Sequence, residues 1–174
     1  ELDERMFADP LPSSADTRSS RVRAGLGVIP RIVADGQDIY DRKLKFFEAR
    51  RRLADCYDTY HRALMALVGE ARARHGCAIL IDCHSMPSAG ALPFRDTERP
   101  LDFVLGDRFG SSCSGAVTAC VEETLAGLGY QVSRNAPYAG GHVASAYGRP
   151  LEGVHVLQIE INRALYLDER RIAR

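Results

Sequence analysis

Residues 77–85, with the sequence CAILIDCHS, form a nearly continuous apolar run that ends in polar residues. A strand that is covered on both faces has this composition, and such strands are typical of parallel sheets in α/β proteins. Three further short segments are candidate strands: residues 101–107 (LDFVLGD), 130–135 (YQVSRN) and 153–166 (GVHVLQIEINRALY).

Two segments have helical periodicity. In residues 41–75, apolar residues recur at steps of three, four or seven, and Gly76 supplies a stop signal, which predicts one long helix or two helices with a break. A second helix is predicted over residues 112–128, before Gly129. Because strands alternate with helices, the sequence predicts an α/β layer structure with a mainly parallel sheet.

The first 33 residues differ from the rest in composition. Residues 1–24 mix Pro, Ser, Asp and Arg without a period, which predicts a surface arm or a partly disordered segment. Residues 25–33 (GLGVIPRIV) form an apolar run that fits either a buried strand or a packed loop.

The composition excludes several classes of protein. With 174 residues, the chain is long enough for one domain or a large piece of one. Lys plus Arg and Asp plus Glu both number 23, so there is no basic excess for binding nucleic acid. No run approaches 18 apolar residues, which argues against a membrane span. Five cysteines without a CxxC pair are expected to be reduced thiols in a cytoplasmic protein.

Alternation along the strands places chemically active side chains on shared faces. Asp82 and His84 share a face at the end of one strand, and Gln158, Glu160 and Asn162 share a face of the last strand. Ligands of open α/β sheets bind beyond the carboxyl ends of the strands. Because isoleucines flank Glu160, we expect its carboxyl to be partly dehydrated with a raised pKa, which suits a general base near neutral pH.

Structural roles for these residues stay open on this reasoning, since a histidine at a strand end or a glutamate within a strand is often only a hydrogen-bond or ion-pair partner. Glu152 and His155 have a spacing that metal ligands use, but alternation would point their side chains to opposite sides. The chain has no GxSxG motif that would support a serine hydrolase.

A family likeness is carried by longer motifs. They are LIDCHSMPS (80–88), DFVLGDRFGSSC (102–113), NAPYAGGH (135–142), YGRPLEGVHVLQIEINRALYLDE (147–169) and, in the middle region of the family, GLGVIPRIVADGQDIYDRKL (25–44). Together these segments resemble the N-formylglutamate amidohydrolase (N-formylglutamate deformylase) family.

The resemblance implies a fold and an activity. The family is similar to zinc carboxypeptidases and aspartoacylases, which implies a three-layer α/β/α, phosphorylase/hydrolase-like domain with a mainly parallel or mixed sheet. The implied reaction is zinc-dependent hydrolysis of N-formyl-L-glutamate to formate and L-glutamate, the last step of one histidine-degradation route. A related zinc amidase or peptidase acting on another N-acyl amino acid, and a non-catalytic homologue without the metal, are the alternatives.

The resemblance also assigns residues. His84 matches the last zinc-binding histidine, and Glu160 matches the glutamate that works as general base and acid. Arg149 and Arg163 are candidates for holding the glutamate carboxylate of the substrate. The remaining positions that match polar residues around the site are Asn135, Tyr138, His142 and Tyr147.

The first part of the family pattern has no counterpart in this sequence. In the family an upstream histidine motif and a following acidic motif supply the first zinc ligands, whereas no histidine precedes His61 here. A catalytic zinc takes three protein ligands and a water, so we expect one Zn²⁺ per complete site, with the remaining ligands upstream of Glu1. Residues 25–174 are then the C-terminal two thirds of a single amidohydrolase domain. Besides a small-molecule substrate, the expected partners are a second copy of the chain or the missing N-terminal segment.

Overall fold

The computed structural model describes residues 1–33, 36–91 and 99–172. They form two compact units, Glu1–Leu64 and Met65–Arg174. The helices and strands, in chain order, are α1 (Ser20–Arg23), α2 (Phe46–Arg52), α3 (Thr59–His75), β1 (Ala78–Met86), β2 (Phe103–Gly106), α4 (Gly115–Gly127), β3 (Val132–Arg134), α5 (His142–Tyr147) and β4 (Val154–Asn162). Within the described residues, no helix has the length and apolar character needed to span a membrane.

The first unit has its own apolar cluster, to which the N-terminal residues contribute. Its buried members are Leu2, Met6, Phe7, Ile29, Leu44 and Ala49. The buried carboxylate of Asp3 accepts hydrogen bonds from the guanidinium groups of Arg5 and Arg31. We expected residues 1–24 to form a surface arm or a partly disordered segment, and the structure packs Leu2, Met6 and Phe7 of this segment into the cluster. The division of the chain at residue 24 stays a prediction.

The predicted helix of residues 41–75 begins at Phe46 and contains a change in winding. A π-helical segment, Leu53–Asp58, connects α2 to α3, so the helical backbone continues to His75. Gly76 then has a φ of +75°, a left-handed conformation that ends the helix. No residue of α3 is buried within the described part of the chain. The predicted apolar stripe is therefore largely uncovered, and Leu67 is 62% exposed.

The second unit is built on a four-stranded sheet with the order β1-β4-β2-β3. β1 pairs with β4 in parallel, and β2 pairs with β3 in parallel, whereas β2 and β4 are antiparallel. The prediction of an α/β fold with a mainly parallel or mixed sheet is confirmed, and the sheet is of the mixed type. Residues 25–33, which fitted a strand or a packed loop, contain no strand beyond an isolated bridge between Ile32 and Asp38.

Helices lie against this sheet. The apolar side of α4, with Val117, Val121 and Leu125, packs on a buried cluster that includes Leu105 and Leu157. Alternation puts the side chains of odd-numbered β4 residues on this face and those of even-numbered residues on the opposite face. The second face of β4 carries the polar side chains of Gln158, Glu160 and Asn162.

Candidate active site

The candidate site lies on the face of β1 and β4 that carries the even-numbered residues. The parallel register places Asp82 beside Gln158 and His84 beside Glu160. Alternation predicted that Asp82 and His84 share one face of β1, and that Gln158 and Glu160 share one face of β4. The register between the two strands brings these four residues together. The predicted metal-binding histidine and the predicted base are therefore neighbours in the sheet, although they are far apart in sequence.

The side chains of Asp82, His84 and Glu160 form a connected polar group. His84 Nε2 lies 3.1 Å from Asp82 Oδ2, and His84 Nδ1 lies 3.9 Å from Glu160 Oε1. The imidazole is about half exposed, at 48%, while the side chains of Asp82 and Glu160 are 15% and 10% exposed. The arrangement combines an accessible imidazole with two shielded carboxylates.

The environment of Glu160 favours a carboxyl that binds a proton more readily than usual. Burial raises the pKa of Glu160 above its ordinary value, while the charge of a protonated His84 and a hydrogen bond from Gln158 partly offset this increase. Glu160 Oε1 accepts that hydrogen bond from Gln158 Nε2 at 2.9 Å. A raised pKa makes this carboxyl a better proton acceptor than an exposed glutamate, as a general base requires.

Of the two candidate arginines, Arg163 lies next to this group. It follows β4 directly, and its guanidinium donates hydrogen bonds to Ser85 Oγ at 3.2 Å and to the Ser85 carbonyl at 3.4 Å. Its positive charge also contributes to lowering the pKa of Glu160, against the effect of burial. Arg149 instead donates to the carbonyls of Gly148 and Ser145, at the end of α5.

Asn135 holds the loop that follows β2. Its amide nitrogen donates to Asp107 Oδ1 at 2.7 Å, and its amide oxygen accepts from the backbone N–H groups of Asp107 and Phe109. Arg108 and Phe109 both have positive φ, at 52° and 57°, a conformation that few non-glycine residues adopt. The Asn135 side chain thus stabilises this turn, and its predicted contact with substrate stays a prediction.

The other predicted polar positions are distributed around α5 and the loop before it. Tyr138 packs against a buried cluster that includes Met86 and Val104. His142 is the first residue of α5, and Tyr147 is the last. Their roles in substrate binding stay predictions.

The Glu152 and His155 pair does not form a shared site. His155 Nδ1 accepts a hydrogen bond from the N–H of Ser114 at 3.3 Å, whereas Glu152 Oε2 lies 3.9 Å from the guanidinium of Arg72. Across residues 1–33, 36–91 and 99–172, no group of three or more His, Cys, Asp or Glu side chains is arranged to hold a metal ion. His84 remains the metal-binding candidate with the clearest placement.

Sequence reasoning placed Gln158 on the correct face but gave it no role. Its side chain is buried and contacts both Glu160 and the backbone of Gly141. The signal in the sequence was a polar residue two positions before Glu160, on the same face of the strand.

A mixed α/β sheet that presents a histidine beside a buried glutamate defines the chain as an α/β protein with a candidate acid–base site. The chain belongs to the N-formylglutamate amidohydrolase family, whose model matches residues 1–167. It is 33% identical over 164 residues to the N-formylglutamate deformylase of Pseudomonas aeruginosa and 29% identical over 170 residues to that of Pseudomonas putida. These alignments cover 92% and 94% of this chain, and 58% and 61% of the relatives.

A solved structure supports the same family assignment. The crystal structure of N-formylglutamate amidohydrolase from Ralstonia eutropha JMP134 superposes with a TM-score of 0.88 at 38% identity. The match covers 99% of this chain and 62% of that one. The chain thus spans about three fifths of the length of these relatives.

Proposed function

We propose that the chain supplies part of the active site of a hydrolase that converts N-formyl-L-glutamate and water to formate and L-glutamate. The names of the relatives support this substrate. The observation that carries the proposal is the placement of His84 beside the buried carboxylate of Glu160 on one face of the sheet. Neither residue type alone would distinguish this site from an ordinary structural pair.

Glu160 would act first as a general base and then as a general acid. Its carboxylate takes a proton from water while the water oxygen bonds to the formyl carbon. The C–N bond then breaks, and the proton passes from Glu160 to the departing nitrogen, which leaves as the amine of glutamate. A carboxyl whose pKa is raised by burial suits both transfers near neutral pH.

Arg163 is the better placed of the two arginines to hold a carboxylate of the substrate. Its guanidinium contacts Ser85, which directly follows His84, whereas Arg149 is engaged with backbone carbonyls at the end of α5. An arginine at this position can bind a carboxylate through two parallel hydrogen bonds. We expect this contact to set the preference for an amino acid as the leaving group.

Zinc is the proposed cofactor, with His84 as one ligand. Among the described residues, no three His, Cys, Asp or Glu side chains are arranged to hold a metal ion, so they do not form a three-ligand site by themselves. In a complete site the other ligands would come from residues that this chain does not contain. When bound, zinc would polarise the formyl group and acidify a bound water.

We also propose that the protein acts in the cytoplasm, and that its reaction is the last step of a histidine-degradation route. All five cysteines are free thiols, which suits a reducing compartment. Conversion of labelled histidine to glutamate, measured in cells with and without the gene, would test the proposed degradation route separately.

The test of the proposed function uses a completed protein, in which the chain is fused to the part of the Ralstonia relative that it does not cover. The completed protein should retain about one zinc and release formate from N-formyl-L-glutamate. Glu160→Gln should keep the zinc and lower kcat by about 10²- to 10⁴-fold with little change in KM. His84→Ala should lose both zinc and activity, because the remaining ligands hold the metal weakly.

Exposed residues of the same types provide matched controls. Glu123→Gln and His75→Ala should behave like the unsubstituted protein, since both residues lie outside the polar group. Retention of kcat by Glu160→Gln would assign Glu160 a structural role. Hydrolysis of another N-acyl amino acid in preference to N-formyl-L-glutamate would overturn the proposed substrate.

A further inference from the structure

The side chain of Gln158 has both ends engaged at the candidate site. Its Nε2 donates to Glu160 Oε1 at 2.9 Å, and its Oε1 accepts from the backbone N–H of Gly141 at 2.6 Å. Gln158 is only 5% exposed, so water does not readily replace either contact. The amide thus has a defined orientation, with oxygen towards the peptide N–H and nitrogen towards the carboxylate.

The contact with Glu160 restricts a side chain that otherwise rotates. The carboxylate oxygen that faces Gln158 is the same oxygen that lies 3.9 Å from His84 Nδ1. Because Gln158 donates to Oε1, we expect Oε2 to be the oxygen that exchanges a proton with water. A glutamate without this restraint would spend part of its time in other rotamers.

The contact with Gly141 requires small residues on the loop before α5. A Cβ on Gly141 would lie 3.1 Å from Gln158 Oε1, which is tighter than ordinary contact. Gly140 has a φ of +111°, which side chains rarely tolerate, and a Cβ on Gly106 would meet the backbone of Gly140 at 2.6 Å. These three glycines let the loop backbone approach β2 and reach the amide of Gln158.

We propose that Gln158 is a positioning residue that fixes the carboxylate of Glu160 and connects it to the loop carrying Gly141. This inference rests on the proposed function, in which Glu160 moves the proton. Gln158 itself has no group that gains or loses a proton in the reaction. Its effect is on the fraction of time that Glu160 is correctly oriented.

Two variants separate the two hydrogen bonds. Gln158→Met preserves approximate length and removes both contacts, whereas Gln158→Glu keeps an acceptor for the Gly141 N–H and replaces the amide donor with a second carboxyl group beside Glu160. In the completed protein, both should lower kcat by about 10- to 100-fold, the range found when partners that orient site residues are removed. KM should stay within about twofold, and zinc content should not change. The matched control is Gln131→Met, at a residue just before β3.

A second measurement does not depend on activity. In the ¹⁵N-labelled chain, hydrogen exchange of the Gly141 amide should become about tenfold faster in Gln158→Met than in Gln158→Glu, since only the second variant retains an acceptor. Exchange of the β4 amides should be the same in both variants. Unchanged Gly141 exchange in Gln158→Met would overturn the proposed contact.

The kinetic outcomes are equally distinct. An unchanged kcat, a loss that Gln131→Met matches, or a loss accompanied by zinc release would each overturn the positioning role. Failure of the unsubstituted completed protein to hydrolyse N-formyl-L-glutamate would instead refute the proposed function. In that case the exchange measurement still decides whether Gln158 holds the loop as proposed.

Discussion

Replacement of Gly106 by alanine should destabilise the second unit, because the backbone of another segment occupies the space that a side chain would need. An ideal Cβ on Gly106 would lie 2.6 Å from the nitrogen of Gly140 and 2.8 Å from the carbonyl carbon of Ala139. Ordinary van der Waals contact begins at 3.4 Å, so the loop must move by about 0.8 Å. The neighbouring hydrogen bond from Arg108 N–H to the Ala139 carbonyl, at 2.8 Å, opposes this shift.

The expected loss of stability follows from two contributions. Overpacking of a rigid contact costs about 1–3 kcal/mol, and weakening of the bond between Gly141 and Gln158 adds about 1 kcal/mol. We therefore expect Gly106→Ala to lower the free energy of unfolding by about 2–4 kcal/mol. The same displacement would release Gln158, so kcat of the completed protein should fall as well.

The assay is denaturant unfolding followed by circular dichroism, with hydrogen exchange of β4 amides to report on the second unit alone. Gly127→Ala is the matched control, since nothing lies within 4 Å of the position that a Cβ would take there. That substitution should raise stability by about 0.4–1 kcal/mol through the unfolded chain. If Gly106→Ala and Gly127→Ala have the same stability, the close approach of the two backbones does not constrain the fold as we argue.

Three further outcomes test other parts of the molecule. Burial alone would raise the pKa of Asp3, but hydrogen bonds from Arg5 and Arg31 outweigh it and lower this pKa below its ordinary value of 3.8. Asp3→Asn should therefore lower the free energy of unfolding by about 1–3 kcal/mol near neutral pH. When denaturant unfolding is repeated at a series of pH values, this difference should disappear as the pH falls below 3.8 and through the lower pKa of the folded state. Ile79 and Ile81 on β1 are 54% and 40% exposed, so the chain should bind a hydrophobic dye or self-associate. The double substitution Ile79→Thr and Ile81→Thr should reduce the fluorescence of the dye. An unsubstituted chain that stays monomeric and binds no dye would refute this prediction. The chain alone should lose zinc during dialysis against a mild chelator, and equimolar zinc by elemental analysis would reveal ligands that the described geometry does not suggest.

The pattern of side chains within each strand was predictable, whereas the pairing between strands was not. Alternation placed His84 with Asp82 and Glu160 with Gln158, because the period of two is a local property of extended backbone. The register that joins the two pairs depends on packing of the whole sheet. The antiparallel orientation of β2 was also outside the reach of local patterns.

Other features depended on contacts across the chain that no local pattern contains. Asn135 has a φ of +58° and pairs with the carboxylate of Asp107, which lies 28 positions earlier. Asparagine tolerates this conformation, but its partner cannot be identified from composition. The apolar stripe around Leu67 was correctly placed on a helix, but its periodicity does not show which surface would cover it, and Leu67 is exposed.

The parallel pairing of β1 with β4 has a consequence for folding. His84 and Glu160 are adjacent in the sheet but 76 positions apart in sequence, so the chain must close a long loop to bring them together. The length-dependent entropy of closing such a loop is about 4 kcal/mol, which cannot be recovered until many other contacts form. Chains rich in distant contacts of this kind fold slowly. A ribosome must therefore release the chain through Glu160 before the two side chains can meet, and a nascent chain halted after α5 would lack their contact entirely.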